Sequence, residues 1–148
     1  MKSDHHYDVL IVGAGLSGIG MACHLRRNCP QATFQILEAR QAIGGTWDLF
    51  RYPGVRADSD MDTLRYKFKP WDGQQEIADG EEILRYIRET AKGYKVDSQI
   101  RFGHKVLEAA WSTPDARWTI TAEHNGETKK LTARFLLPCS GYYKYSEG

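Results

Sequence analysis

Gly13-Ala14-Gly15-Leu16-Ser17-Gly18 sets three glycines at the spacing G-x-G-x-x-G, and a glutamate, Glu38, stands twenty residues beyond the last of them. That combination suits phosphate and ribose chemistry. Gly13 permits a tight turn, Gly15 lets the main chain approach a pyrophosphate that a Cβ would hold off, and Gly18 allows a helix and a strand to pack closely. The anion would sit on the free amides at the amino end of a helix, where the helix dipole is positive, with the Ser17 hydroxyl as a further donor. Glu38 is spaced to accept both hydroxyls of an adenosine ribose. On these residues alone NAD and FAD are indistinguishable as ligands.

The elements needed to position these groups are legible around them. Asp8-Val9-Leu10-Ile11-Val12 is a short apolar run ending at the glycines, the pattern of a parallel strand covered on both faces. A helix is expected from Leu16 to about Asn28, with Ile19, Ala22, Cys23 and Arg26 on one face and Pro30 barring its continuation. Thr33-Phe34-Gln35-Ile36-Leu37 supplies a second strand, which completes a right-handed β-α-β unit. Residues 48–75 lose periodicity and read as a long, mostly irregular excursion; its aromatics make it an ordered lining of a site rather than a disordered loop.

Asp79-Gly80-Glu81-Glu82 has the form of a capping box, with Ile83, Ile87 and Ala91 on one face of a helix ending near Gly93. Segments around 106–111 and 118–122, and a third after Asn125-Gly126, read as an antiparallel meander, because Asn-Gly suits a type I′ turn. Phe135-Leu136-Leu137 is expected as a further buried strand running into Cys139-Ser140-Gly141. The fold class expected is α/β: a Rossmann-like, glutathione-reductase-like FAD-binding domain, a parallel sheet with an inserted antiparallel β-meander, incomplete at its carboxyl end. Residues 1–148 form one domain on this reading.

Gly44-Gly45-Thr46-Trp47 puts a second close-approach loop six residues past Glu38, where a simple NAD domain would begin its second helix. Together with Arg51-Tyr52-Pro53-Gly54-Val55-Arg56-Ala57-Asp58, this loop resembles the flavin-containing and Baeyer-Villiger monooxygenases. The second stretch points to the Baeyer-Villiger branch. Trp47-Asp48-Leu49-Phe50-Arg51 and Cys139-Ser140-Gly141-Tyr142-Tyr143 are most similar to the subgroup that also oxygenates sulfur in thioamides.

The resemblance covers essentially the whole chain and implies FAD and NADPH as cofactors. It implies that Ser17, Glu38, Gly45, Thr46, Trp47, Asp48, Leu49, Asp58, Val106 and Gly141 meet FAD, Val106 by its main chain at the adenine. Arg56, Ala57 and Asp58 would border the nicotinamide nucleotide. Asp58 is the implied catalytic residue, beside the flavin and paired with an arginine from a later part of the enzyme. The implied reaction inserts one oxygen from O2 into a ketone, or adds it to sulfur. Two other readings stand beside it: a monooxygenase confined to nitrogen and sulfur, and a dinucleotide-binding fragment without turnover. The family continues for several hundred residues with a second nucleotide-binding domain, so C-terminal domains and closing elements are expected to be missing here.

Rival chemistry fares worse. Asp58-Ser59-Asp60-Met61-Asp62 begins like a calcium loop, but Thr63 replaces its glycine and Lys69 its bidentate glutamate. The histidines and cysteines lack zinc spacing, so no metal is expected. Cys23 and Cys29 do not form the redox pair of a flavin disulfide reductase, and three cysteines in all suit a reducing, cytoplasmic compartment better than a disulfide framework. A net charge of +1 supplies no field for nucleic acid, and no apolar run has the length of an integral membrane segment.

Overall fold

The computed structural model describes residues 6–144. One six-stranded sheet in the order β3-β2-β1-β6-β5-β4 organises them. Its strands are β1 (His6–Val12), β2 (Phe34–Leu37), β3 (Ile100–Arg101), β4 (Lys105–Ser112), β5 (Arg117–His124) and β6 (Glu127–Pro138). β3, β2, β1 and β6 run parallel, whereas β4, β5 and the first half of β6 are antiparallel. Four helices accompany them: α1 (Leu16–Asn28), α2 (Thr46–Leu49), α3 (Met61–Leu64) and α4 (Gly80–Gly93).

β1 is central and buried on both sides, which is why its sequence is continuously apolar. Side chains alternate across a strand, so Val9 and Ile11 face α1 and α4 while Leu10 faces the other way. On the first side they pack with Ile36, Ile19, Cys23, Ile83 and Ile87. On the second, Leu10 and Leu37 join Ile120, Ala122, Leu131 and Ala133 of the meander. Two cores therefore share one sheet.

Three expectations need correction. The third meander strand and the strand at Phe135 are one element: β6 pairs with β5 up to Ala133 and with β1 from Thr132 to Pro138, changing partners without a break. Phe135 is 60% exposed rather than buried, since it lies where β6 has passed the end of β5 and, among the described residues, no helix covers it. The capping box is absent. Asp79 makes no side-chain cap, and Glu82 Oε2 is buried without a hydrogen-bond partner. The main chain before α4 is instead tied down by a bridge from Arg56 to Asp79 and by Gly80 N–H donating to the Val55 carbonyl at 2.9 Å. The Asn125-Gly126 turn has φ of 52° and 78°, as a type I′ turn requires.

The excursion after residue 48 is ordered by aromatic packing and holds α3, which its sequence did not suggest. Tyr66 stacks on Phe68 at 4.9 Å and on Tyr86 of α4 at 5.6 Å, and its hydroxyl donates to the Leu16 carbonyl of α1. Asp60 caps α3 by accepting from Thr63 N–H at 2.8 Å.

Candidate functional site

A cleft of about 830 Å³ opens where β1, β2 and β6 end, lined there by Val12, Leu37 and Cys139. The carboxyl ends of parallel strands are where open α/β sheets bind ligands. Gly13, Gly15, Ser17, Glu38, Gly45, Thr46, Trp47, Arg56, Asp58, Val106 and Gly141 all line it. These residues come from six separate segments of chain, and the sheet brings them to one cavity.

The phosphate-binding turn has a specific local cause. Gly13 leaves β1 at φ +106°, and its N–H donates to the Leu37 carbonyl at 2.8 Å. α1 then starts at Leu16 so close to the turn that a Cβ on Gly18 would overlap the Gly13 carbonyl oxygen. The first protein hydrogen bond of the helix runs from Ile19 N–H to the Gly15 carbonyl at 3.0 Å. Among the described residues, the amides of Gly15, Leu16, Ser17 and Gly18 reach no protein acceptor. They remain available for an anion at the positive end of a thirteen-residue helix.

Glu38 is 8% exposed and lines the cleft beside this turn. Its Oε2 accepts from Ala14 N–H at 2.8 Å and its Oε1 from Arg40 N–H at 2.8 Å. Ala14 is therefore spoken for and is not a free anion donor. Each carboxylate oxygen retains a second lone pair, so ribose hydroxyls can still be accepted. The two bonds hold the carboxylate in place before any ligand arrives.

Gly18, Asp48, Leu49 and Ala57 are not among the residues that line the cleft. Gly18 works at the contact between α1 and β1. Ala57 is 4% exposed in the main core, its N–H donating to the Ala78 carbonyl at 3.0 Å; the bridge of Arg56 with Asp79 turns it inward. Asp48, 9% exposed, faces a group of arginines: Arg40 at 2.8 Å, Arg51 at 2.8 Å and Arg88 at 3.0 Å. Because Arg88 belongs to α4, Asp48 locks α2 and its glycine loop against that helix. Asp48→Ala is expected to lower unfolding free energy by about 1–3 kcal/mol, less than for a fully buried pair because Arg51 and Arg88 regain water. Urea denaturation checks this, and an unchanged midpoint would refute the locking role.

Aromatic rings make the rim: Phe50 and Tyr52 come from the excursion expected to line a site, while Tyr142 and Tyr143 were not singled out for it. Phe50, Tyr52, Tyr142 and Tyr143 all line the cleft with Asp58. Phe50 meets Tyr143 edge to face at 5.0 Å, and Tyr143 meets Tyr142 at 4.5 Å. Tyr142 first, and Asp58 to a lesser degree, hold the Tyr143 phenol above the usual tyrosine range, so it stays protonated at neutral pH. The excess of tyrosine beside two glycine loops was the available signal. His104 and Lys105 also line the cleft. Cys139 does so too, but burial pushes its thiol up, as it pushes Cys23 to about 11, and neither is an activated nucleophile.

Fold and site together define a Rossmann-like dinucleotide-binding domain, and residues 11–71 match the family described as an NAD(P)-binding Rossmann-like domain. More specifically, the chain is similar to FAD-containing monooxygenases. It is 55% identical over 143 residues to the FAD-containing monooxygenase EthA of Mycobacterium tuberculosis, a match covering 97% of this chain and 29% of that protein. It is 46% identical over 146 residues to the probable FAD-binding monooxygenase AlmA of Acinetobacter baylyi, again covering 98% of this chain and 29% of the relative. Among solved structures, an oxidised steroid monooxygenase bound to NADP superposes with a TM-score of 0.82 at 33% identity, covering 92% of this chain and 26% of that one. OTEMO in complex with FAD and NADP gives 0.79 at 31%, covering 91% and 26%. The chain thus spans about 29% of the length of the curated relatives it matches.

Proposed function

We propose that the cleft holds FAD and that this chain is the FAD-binding portion of an NADPH-dependent monooxygenase, inserting one oxygen from O2 beside a ketone carbonyl or adding it to sulfur. The observation that carries this reading is the row of unclaimed amides at Gly15, Leu16 and Ser17, residues that line the same cavity as the fixed Glu38 carboxylate. The lining between the two glycine loops is compatible with a dinucleotide approaching main chain. A Cβ on Gly15 would point at Gly45 Cα, 3.5 Å away, so the floor between the two glycine loops is bare main chain. The relatives' names and bound cofactors support the same assignment.

The chain's residues divide the binding between them. The Gly15, Leu16 and Ser17 amides with the Ser17 hydroxyl take the pyrophosphate, Glu38 the ribose, and the main chain of Val106 the adenine. Gly45, Thr46, Trp47 and Gly141 flank the flavin with main chain and indole, and exclude water from it. Asp48 and Leu49 contribute as part of α2, whose first residues, Thr46 and Trp47, line the cleft. Arg56 and Asp58 border the nicotinamide nucleotide, where the exposed Asp58 carboxylate orients a nearby cation. Bound there, FAD would supply electron transfer from NADPH and activation of O2, while the protein binds, orients and keeps water out.

Residues 1–148 form one FAD-binding domain on this proposal, and the full protein adds an NADPH domain and closing elements. The exposed Phe135 supports it, as does the edge of β6 after Ala133, which no described strand occupies. Among the described residues no helix is long and apolar enough to cross a membrane, and three free cysteines favour a cytoplasmic setting. The chain alone is expected to bind added FAD at equilibrium but to lose it on gel filtration; a stoichiometric yellow complex surviving the column would contradict the missing elements. The complete enzyme is expected to oxidise NADPH and convert cyclic or linear ketones to lactones or esters. Sulfoxides from sulfides with no ester from any ketone would support nitrogen- and sulfur-restricted oxygenation instead, and no product at all would support a binding module without turnover.

A further inference from the structure

His104 lines the cleft beside Lys105 and Val106, and its ring stacks on that of His124, with centroids 4.1 Å apart and planes 11° from parallel. His124 ends β5 and does not itself line the cavity. Each Nδ1 lies on a main-chain carbonyl: His104 on Phe102 at 2.8 Å, His124 on Gly103 at 2.9 Å. A carbonyl only accepts, so Nδ1 carries the proton in both rings. His124 Nε2 is left to accept from Asn125 Nδ2 at 3.1 Å.

The segment gripped in this way holds Glu38. Gly103 N–H donates to the Arg40 carbonyl at 3.1 Å and His104 N–H to the Glu38 carbonyl at 2.9 Å. The Glu38 carboxylate in turn rests on the Ala14 and Arg40 amides. Space at Gly103 is closed by Gln41 and by the His124 ring itself, within 3.4 Å of where a Cβ would stand. A side chain on the meander thus sets the position of the loop that presents the ribose acceptor.

We propose that His124 is a positioning residue for the adenosine end of the dinucleotide, acting through its stack on His104, and that binding requires the neutral His104 ring. The inference rests on reading the cleft as the FAD site. The groups around His104 agree on the sign. Burial holds its pKa below the usual histidine range, against the Phe102 carbonyl, which favours the charged form; His124 on β5, Arg101 on β3 and Lys129 on β6 add to the depression. Lys105 on β4 adjoins it, with Glu123 of β5 opposite Lys105 in the ladder. The Glu38 carboxylate is committed to two amides. A ligand covering the ring removes its remaining water and disfavours the charge further. The pyrophosphate would attract a charged ring, but across an open cleft that attraction is screened. Affinity is therefore flat above the His104 pKa and falls, by up to about tenfold per pH unit, as pH drops through it.

The test is equilibrium titration of the chain with FAD, followed by flavin anisotropy from about pH 5.5 to about pH 8. FMN, which lacks adenosine, is the comparison ligand. Wild type, His124→Ala and His124→Phe are compared, the phenylalanine keeping a stacking ring, while His104 ring resonances are followed by NMR without ligand. Expected at neutral pH is a roughly fivefold loss of FAD affinity in His124→Ala, the scale of one aromatic pair. FMN affinity should not change, and His124→Phe should recover most of the loss. The His104 resonances should titrate at higher pH in both variants. Equal weakening of FAD and FMN, wild-type FAD affinity at every pH in His124→Ala, or an unmoved His104 titration would each overturn the inference. Failure of the wild-type chain to take up FAD at neutral pH would instead overturn the reading of the cleft, and the inference with it.

Discussion

Gly18→Ala is expected to lower the stability of the domain by about 3 kcal/mol and to remove detectable FAD binding, because the new Cβ has no place to go. In an open helix the same change gains up to about 1 kcal/mol of helix propensity. Here the Cβ would overlap the Gly13 carbonyl oxygen and crowd the carbonyl carbon at 3.0 Å. The obstacle is main chain at a tight turn, which cannot swing aside as a flexible side-chain end can. α1 must retreat from β1, loosening the packing of Ile19 and Ala22 and moving the amides aimed at the cleft. Gly93→Ala is the internal control, since a Cβ on that last residue of α4 meets nothing within 4 Å. Thermal melts of the two variants should diverge in sign; a Gly18→Ala protein melting with wild type would refute the close-approach argument.

Glu38→Ala removes two charge-assisted acceptors at once and takes from the Ala14 and Arg40 amides the carboxylate, itself only 8% exposed, that accepts from both. The expected loss of stability is about 2–4 kcal/mol. FAD affinity should fall about a hundredfold or more, since the ribose acceptor goes as well. Glu38→Gln separates the contributions. A carboxamide offers one oxygen, so one of the two amides would face an NH2 donor rather than an acceptor. It should therefore rescue only part of both losses. Calorimetric titration with FAD and urea unfolding of both variants give the answer, and wild-type behaviour of Glu38→Gln would mean that the carboxylate is not held as described.

The similarity to FAD-containing monooxygenases over 97% of the chain agrees with the resemblance carried by Gly44 to Trp47 and Arg51 to Asp58. Those motifs were readable because each constrains main chain locally: glycines where a Cβ cannot fit, and an acid at the end of the next strand. α1, α4 and the type I′ turn at Asn125-Gly126 were readable for the same reason. Their periodicity and turn chemistry act within a few residues.

What lay outside that range belongs to the tertiary structure. Asp48 sits in a motif that points to the flavin, yet Arg88, forty residues away on α4, draws its carboxylate aside. Ala57 shares a motif with Arg56 and Asp58 but is turned into the core by a bridge to Asp79. β6 reads as two strands because its apolar pattern changes midway, and it is one because its pairing with β5 ends at Ala133 while β1 continues beside it. The stacked histidines have no motif at all. By itself the sequence determined which main-chain turns can cradle a dinucleotide, since that follows from missing side chains at neighbouring positions. Only the packed sheet decided which side chains face the cleft, because that choice depends on partners brought close by folding.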